Sequence, residues 1–235
     1  HPDIYIPPET YVLGPSIHTF RENAHLNWNT LTRLVLSYFS LSKDFGLFPT
    51  QVLRPLHQEL LALPRNERTY DNLVDRFYMY MAGVAKPDAT VWGDKTPINS
   101  FNLDDIFAAF PNGRFIHIIR DGFDVVESYI NAGIYRARED AAKRWLQSVQ
   151  LCQNFKKRAP TCVFELYYED VVRYPDRTLW ALFEFLGMTY NSDFLDAPKD
   201  PAALGDLCQK ALYANVAHDL SAAPIGKGRR NMPSV

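Results

Sequence analysis

The 235-residue sequence predicts an α/β fold of three layers, α/β/α, in which helices cover both faces of a mostly parallel central sheet. Two observations carry this prediction. Residues 115–119 form a nearly unbroken apolar run between an Asn-Gly and an Asp-Gly pair, which is typical of a strand buried on both faces. From Phe123 onward apolar residues recur at steps of three and four, so a helix should begin directly after the turn.

The composition bounds the size and the partners of this fold. With 47% hydrophobic and 14% aromatic residues, we expect residues 1–235 to form a single domain with one well-filled core. A net charge of −2 argues against a general binder of nucleic acid or of membrane surfaces. No apolar run reaches the ~18 residues of a membrane span. Three cysteines without metal-ligand spacing favour a reducing compartment, and we expect a cytoplasmic protein.

The N-terminal third is predicted to be a loop followed by a helical insertion. Residues 1–15 contain three prolines before Glu9 and a Gly-Pro pair after it, which indicates an extended segment. Most acidic loop residues are merely solvated, and the residues alone favour this interpretation for Glu9. Residues 17–86 carry at least three amphipathic helical patterns, separated by proline-containing breaks.

Residues 90–93 indicate a short strand that delivers Lys95 to its carboxyl end. Thr96 is then placed as a helix N-cap, with Pro97 at the first helical position. Taken alone, a lysine at this point is more often a surface residue than a functional one.

Arg120 ends the strand at 115–119 and precedes a helix N-terminus, where open α/β folds bind ligands and where unpaired amides favour anions. Ser128 falls about two turns into that helix, so an anion held by both side chains would lie beside the first two turns.

The remaining segments continue the alternation of helix and strand. Residues 138–159 predict a long helix, and residues 161–167 predict a strand that feeds Tyr168. Without further information, Tyr168 is equally well a half-buried core residue. A helix opened by Pro175 and closed by Gly187 follows, then a last helix over 200–217. The chain ends in a basic segment with Lys227, Gly228, Arg229 and Arg230, which by itself could be a frayed tail.

The ordered set of motifs resembles the sulfotransferases that use 3'-phosphoadenosine 5'-phosphosulfate (PAPS). Three motifs are closest to those of the tyrosylprotein and bacterial enzymes: Gly-Asp-Lys-Thr-Pro at 93–97, Phe-Pro-Asn-Gly-Arg-Phe at 110–115, and Arg-Asp-Gly with a serine eight residues after the arginine. The Lys-Gly pair at 227–228 resembles that of the heparan-type enzymes. The resemblance covers about residues 1–15 and 90–230. It implies a P-loop-NTPase-like sulfotransferase fold and transfer of a sulfuryl group from PAPS to a hydroxyl or amine, which releases adenosine 3',5'-bisphosphate.

The resemblance also implies roles for individual residues. Glu9 would be the general base and Lys95 the catalytic lysine; no histidine follows Lys95-Thr96, where the cytosolic small-molecule enzymes keep their base. Tyr168 would contact the adenine. The residues implied to hold the 3'-phosphate are Arg120, Ser128, Lys227, Gly228, Arg229 and Arg230. The acceptor would be a small molecule, a glycan or a protein side chain, with a homodimer possible and with neither metal nor nucleic acid required.

One part of the family pattern is absent. The Gly-rich loop that cradles the 5'-phosphosulfate does not occur in these residues, and His1 is not a natural start. We therefore expect the chain to lack the N-terminal strand and that loop, and to transfer nothing by itself. The alternative is a non-catalytic nucleotide-binding or interaction module derived from the sulfotransferase fold. A P-loop kinase is less favoured, since Arg120 and Ser128 would then have no purpose.

Overall fold

The computed structural model of the chain describes residues 1–196, 222 and 225–231. They fall into two compact units, one of residues 1–111 and one of residues 112–196 with 225–231. Each unit contains one two-stranded parallel sheet with helices around it, which confirms the predicted α/β class. The predicted helix over 200–217 lies outside the described residues. Among the residues described, no helix has the length and apolar character to cross a membrane.

The first unit consists of a short sheet and a helical layer. Strand β1 (Ile4–Tyr5) runs parallel to β2 (Val91–Trp92), with Tyr5 opposite Trp92. The helices of this unit are α1 (Leu13–Glu22), α2 (Trp28–Ser40), α3 (Arg54–Leu61), α4 (Tyr70–Ala85) and α5 (Leu103–Ala109), with 3-10 turns at Phe45–Leu47, Arg65–Glu67 and Pro97–Phe101. The three amphipathic patterns of the predicted insertion form α2, α3 and α4.

The core of the first unit forms where α2 and α4 face each other. Phe39 and Phe77 are fully buried, and their rings stack with centroids 3.8 Å apart. Both helices start at residues that cap them: the side chain of Asn27 accepts from Thr30 N, and that of Thr69 accepts from Asn72 N. Local capping and apolar periodicity therefore explain why these segments are helical.

Thr96 is the N-cap residue and Pro97 the first helical residue, as predicted, but the helix and the hydrogen bond of Thr96 differ from the expectation. Pro97 does open a helix, but it is the 3-10 turn Pro97–Phe101, and the hydroxyl of Thr96 makes no cap bond there. That hydroxyl instead accepts a hydrogen bond from Thr10 N at 3.2 Å. Thr96 therefore binds Thr10, which is distant in sequence, and not an amide of its own helix.

The second unit alternates strands and helices. Strand β3 (Phe115–Ile119) leads into α6 (Gly122–Asn131), and β4 (Val163–Tyr167) pairs with β3 in parallel so that Ile119 lies opposite Tyr167. The other helices described in this unit are α7 (Arg138–Arg158), α8 (Tyr168–Arg173), α9 (Pro175–Leu186), α10 (Asp193–Asp196) and α11 (Lys227–Arg230). Gly187 ends α9 in the left-handed conformation that the Pro-in, Gly-out pattern predicted.

Strand β3 is not buried on both faces, contrary to the prediction. One face packs on α7, where the rings of Phe115 and Phe155 meet with centroids 4.8 Å apart. On the other face Ile116 is 43% exposed and Ile118 is 60% exposed. Helix α9 covers β4 on that face through Phe164 and Phe185, and this leaves the two isoleucines open.

Candidate functional site

The parallel pairing of β1 with β2 brings Glu9 and Lys95 into contact. Because Tyr5 lies opposite Trp92, the segments that follow the two strands leave the sheet side by side. Lys95 donates a hydrogen bond to Glu9 Oε1. The two residues that the resemblance implied to be catalytic are therefore direct partners within the first unit.

Glu9 is a buried carboxylate. Only 6% of the residue is exposed, so the interpretation of Glu9 as a solvated loop acid is wrong. Its second oxygen, Oε2, accepts a hydrogen bond of 2.6 Å from the hydroxyl of Tyr11. Each carboxylate oxygen thus has a donor, which is what a buried charge requires.

A polar network next to Glu9 fixes the backbone on either side of it. The hydroxyl of Thr10 donates to Asp94 Oδ2 at 2.9 Å, and Tyr78 donates to the same oxygen at 2.5 Å. Asn99 donates to the other oxygen, Oδ1, at 2.8 Å. Complete burial, with the negative charge of Asp94 next, raises the pKa of Tyr78 well above its ordinary value, so the phenol stays a donor. Asp94 and Thr96, which flank Lys95, are thereby tied to Thr10, which follows Glu9.

In the second unit, the register of β3 and β4 places Arg120 beside Tyr168, because each is the next residue after a paired strand end. The guanidinium of Arg120 lies over the ring of Tyr168, 4.8 Å from its centroid. One residue further on, the amide of Asp121 donates to Glu169 Oε1 at 3.0 Å. Two residues implied to bind the donor nucleotide are therefore stacked on one another.

The basic segment 225–231 is docked on α6 rather than frayed. Its amides at Gly226 and Gly228 each donate to Asp124 at 2.7 Å, and Asp124 is only 2% exposed. A Cβ at Gly228 would lie 2.1 Å from the carbonyl oxygen of Phe123, so this close approach requires glycine. Arg229 donates to Asp121 Oδ2 at 3.0 Å and lies over the ring of Phe123, 4.5 Å from its centroid.

Two carboxylates of this region are held in the charged form, that of Asp121, which caps α6, by the docked segment and that of Glu127 mainly by Arg138 of α7. Burial raises the pKa of Asp121, but the bonds from Arg229 and from the amides of Asp124 and Phe123 outweigh it and leave the pKa below its ordinary value. The hydrogen bond from Arg138, followed by that from Asn231, lowers the pKa of Glu127. Asp121, Asp124 and Glu127 recur at steps of three and so form one acidic stripe along the helix.

A cavity of about 910 Å³ opens beside Arg120 within the second unit. Its size falls in the range of small-molecule sites. The residues that supply its wall include charged side chains and aromatic or apolar ones, among them Arg120, Phe123, Trp145, Tyr167, Glu169, Gly228 and Arg229. We call it the Arg120 cavity.

The structure does not place every expected residue in that wall. Four of them, Ser128, Tyr168, Lys227 and Arg230, are not among the described residues that line the Arg120 cavity. Tyr168 is half-buried and the other three are exposed. Ser128 lies one helical turn after Asp124, on the side of α6 to which the basic segment is docked. The acidic stripe was not predicted, although acidic residues at steps of three in a chain with a basic segment favour pairing between the two. Tyr11 and Asp94 were not predicted either, because nothing in the local sequence singles them out.

Comparisons with known proteins point in one direction. Residues 1–192 match the sequence model of the sulfotransferase family. The chain is 26% identical over 108 residues to an omega-hydroxy-beta-dihydromenaquinone-9 sulfotransferase of Mycobacterium bovis, covering 40% of this chain and 28% of that protein. It is 24% identical over 135 residues to a putative protein-tyrosine sulfotransferase of Caenorhabditis elegans, covering 55% of this chain and 52% of that protein. The matched regions thus span about a quarter to a half of the length of these relatives.

Two solved structures have a similar fold. The sulfotransferase domain of the Synechococcus PCC 7002 olefin synthase gives a TM-score of 0.61 at 20% identity, with 100% of this chain and 82% of that one covered. The sulfotransferase domain of the curacin biosynthetic pathway gives 0.58 at 17% identity, with 100% and 84% covered. These likenesses show the sulfotransferase fold that the sequence predicted.

Proposed function

Because the chain belongs to the sulfotransferase family, we propose that it transfers the sulfuryl group of PAPS to a hydroxyl or amine of an acceptor. The observation that carries this proposal is the contact of Lys95 with the buried carboxylate of Glu9. A nucleotide-binding module without chemistry has no need of a buried acid paired with a lysine at the ends of two strands.

Glu9 acts as the general base in the proposed reaction. The acceptor oxygen or nitrogen attacks sulfur and gives its proton to the carboxylate, while the bond between sulfur and the bridging phosphate oxygen breaks. The electron pair of that bond goes to the phosphate oxygen, and Lys95 stabilises the charge that develops there. The protein thus positions the reactants and neutralises charge, and it forms no covalent intermediate with them.

The donor nucleotide is assigned to the Arg120 cavity. Arg120 supplies a charge-assisted contact to the 3'-phosphate, and Tyr168 presents its ring to the adenine. Gly228 and Arg229 belong to the wall of the cavity. Ser128, Lys227 and Arg230, which lie outside that wall, would have to reach the 3'-phosphate from its edge. The amide of Gly228 is used by Asp124, so the part of Gly228 is to let the segment approach α6 closely. The volume of the cavity and the four arginines in its wall, Arg120, Arg138, Arg173 and Arg229, fit a phosphorylated nucleoside.

The acceptor is assigned only by class. One relative is named for omega-hydroxy-beta-dihydromenaquinone-9 and the other for protein tyrosine, which supports a hydroxyl of a small molecule or of a protein side chain ahead of a glycan or an amine. The expected compartment is the cytoplasm, on the support of two free cysteines, Cys152 and Cys162, among the residues described.

Calorimetry with two nucleotides tests the donor site. Arg120→Ala should weaken binding of adenosine 3',5'-bisphosphate by about 10- to 150-fold and leave AMP binding nearly unchanged, since only the first ligand carries a 3'-phosphate. Arg114→Ala is the matched control, because Arg114 also lies over an aromatic ring, that of Phe185, at 5.1 Å. Equal losses for both nucleotides would remove the phosphate assignment.

Transfer of labelled sulfate from PAPS by the full-length protein to a panel of alcohols, phenols and amines tests the reaction itself. Retained bisphosphate binding without transfer to any acceptor would favour the non-catalytic module.

A further inference from the structure

The proposed reaction leaves a difficulty at Glu9 that the structure helps to resolve. Both carboxylate oxygens are occupied, Oε1 by Lys95 and Oε2 by Tyr11. In the proposed reaction Lys95 must turn to the phosphate oxygen, which leaves Oε1 to take the acceptor's proton. A carboxylate that loses one of two partners is free to rotate unless the other partner holds it.

Tyr11 is built to be that remaining partner. Its φ is 58°, in the left-handed region of backbone conformation. Among the described residues, it is the one non-glycine residue with a positive φ. An aromatic residue adopts this conformation only under strain, which the surrounding contacts must maintain. Thr10 supplies them, because it is 1% exposed and bonded to both Asp94 and Thr96.

The side chains of Glu9 and Tyr11 meet on either side of Thr10. Thr10 is buried, and the hydroxyl of Tyr11 reaches past it to donate to Glu9 Oε2 at 2.6 Å. Tyr11 itself is 46% exposed. The strained backbone at Tyr11 thus helps to set the position of its hydroxyl.

We infer that Tyr11 is a positioning residue for the general base: its hydroxyl holds Glu9 Oε2 and keeps Oε1 directed at the acceptor after Lys95 has turned to the donor. The inference rests on the proposed function. It assigns Tyr11 no proton transfer, since the phenol keeps its proton and only orients the carboxylate.

A kinetic double-mutant cycle tests this inference in the full-length protein. Tyr11→Phe removes the hydroxyl and keeps the ring, and it should lower kcat by about 10- to 100-fold with the KM for PAPS unchanged. In a Glu9→Gln background the same substitution should change kcat less than about twofold, because there is no base left to position. The matched control is Tyr38→Phe, whose hydroxyl lies 2.6 Å from that of Thr19 and away from Glu9.

Two kinetic results would overturn the inference. One is a wild-type kcat in Tyr11→Phe. The other is an equal loss of kcat in the Glu9 and Glu9→Gln backgrounds, which would mean that Tyr11 acts on the acceptor or on the fold. A thermal cycle separates this inference from the proposed function. It uses Glu9→Ala, because a Gln side chain would still accept the hydrogen bond of Tyr11. If the hydroxyl holds the carboxylate, Tyr11→Phe should lower Tm by about 2–4 °C with Glu9 present and much less in the Glu9→Ala background. An inactive wild type that shows this coupling would refute the proposed function alone, and the absence of coupling would refute the positioning contact.

Discussion

Lys95 is hydrogen-bonded to Glu9 although 86 residues of chain separate them. The contact arises because β1 and β2 are parallel, so that the proline-containing segment after one strand runs beside the turn after the other. A carboxylate in an N-terminal loop thereby becomes a buried group with two donors.

The Glu9 and Lys95 pair should govern turnover. Glu9→Gln keeps size and hydrogen bonding but removes the base, and it should lower kcat by about 10²- to 10⁴-fold with little change in PAPS binding. Lys95→Ala should depress kcat by a comparable factor. Steady-state kinetics on the full-length protein measures both. Glu59→Gln serves as control, because Glu59 also pairs with a basic residue, Arg76, but at an exposed site. Near-normal turnover in Glu9→Gln would mean that the base lies elsewhere.

Gly228 should be indispensable for docking the basic segment. In Gly228→Ala the new methyl group meets the carbonyl of Phe123, so the segment must shift and its amide bonds to Asp124 should break. Hydrogen exchange at Gly226 and Gly228 should rise towards that of exposed amides, and bisphosphate affinity should fall. Gly83→Ala is the contrasting variant, since Gly83 is an exposed helical residue with no atom within 4 Å of a new Cβ. It should stabilise the protein by about 0.5–1 kcal/mol. Unchanged protection in Gly228→Ala would contradict the docked geometry.

The docking should also depend on pH through the acidic stripe. Asp121, which binds Arg229 of the segment, has a pKa below its ordinary 3.8, so its contribution is complete above that value. It is lost as the pH falls through the lower value of the folded protein. Glu127, whose pKa lies below 4.5 mainly because of Arg138, contributes to the docking, within the described residues, only through Asn231. The amide shifts of Gly226 and Gly228, followed by NMR from pH 6 downward, should report release in that acidic range. Asp121→Asn should loosen the segment already at neutral pH, whereas Asp176→Asn, which removes a carboxylate bonded to Tyr190, should not. If the basic segment of the wild type is released already near neutral pH, another titrating group controls the docking.

His117 should make stability depend on pH in a different range. Burial lowers the pKa of His117 below 6.5, and the positive charge of Lys156 lowers it further, although the hydrogen bond that the ring donates to Glu165 opposes this. As the pH falls through 6.5 the unfolded chain therefore binds a proton that the folded protein still excludes, and stability is lost by at most about 1.4 kcal/mol per pH unit. Replacing His117 by Gln should flatten the dependence of Tm on pH between 7 and 5.5. The same substitution at exposed His25 should leave it intact, and an unchanged slope in His117→Gln would show that another group is responsible.

The sequence by itself determined the local elements. Apolar residues at steps of three and four, with caps such as Asn27 and Thr69, require no distant partner, and the helices α2, α3 and α4 lie where these patterns predicted. The same holds for the strand and turn around Arg120 and for the end of α9 at Gly187. Each of these signals is a preference of the backbone or of one side chain for its immediate neighbours.

Only the tertiary structure decided what the functional side chains touch. Parallel pairing turned Glu9 from a solvated loop acid into a buried partner of Lys95, and it took Thr96 away from its helix to bind Thr10. Tertiary packing also decided how far β3 is buried, because an apolar run is compatible with one covered face or with two. The positions of α7 and α9 leave Ile116 and Ile118 exposed. Contacts between residues far apart in the chain depend on register and packing, and no local pattern of residues encodes them.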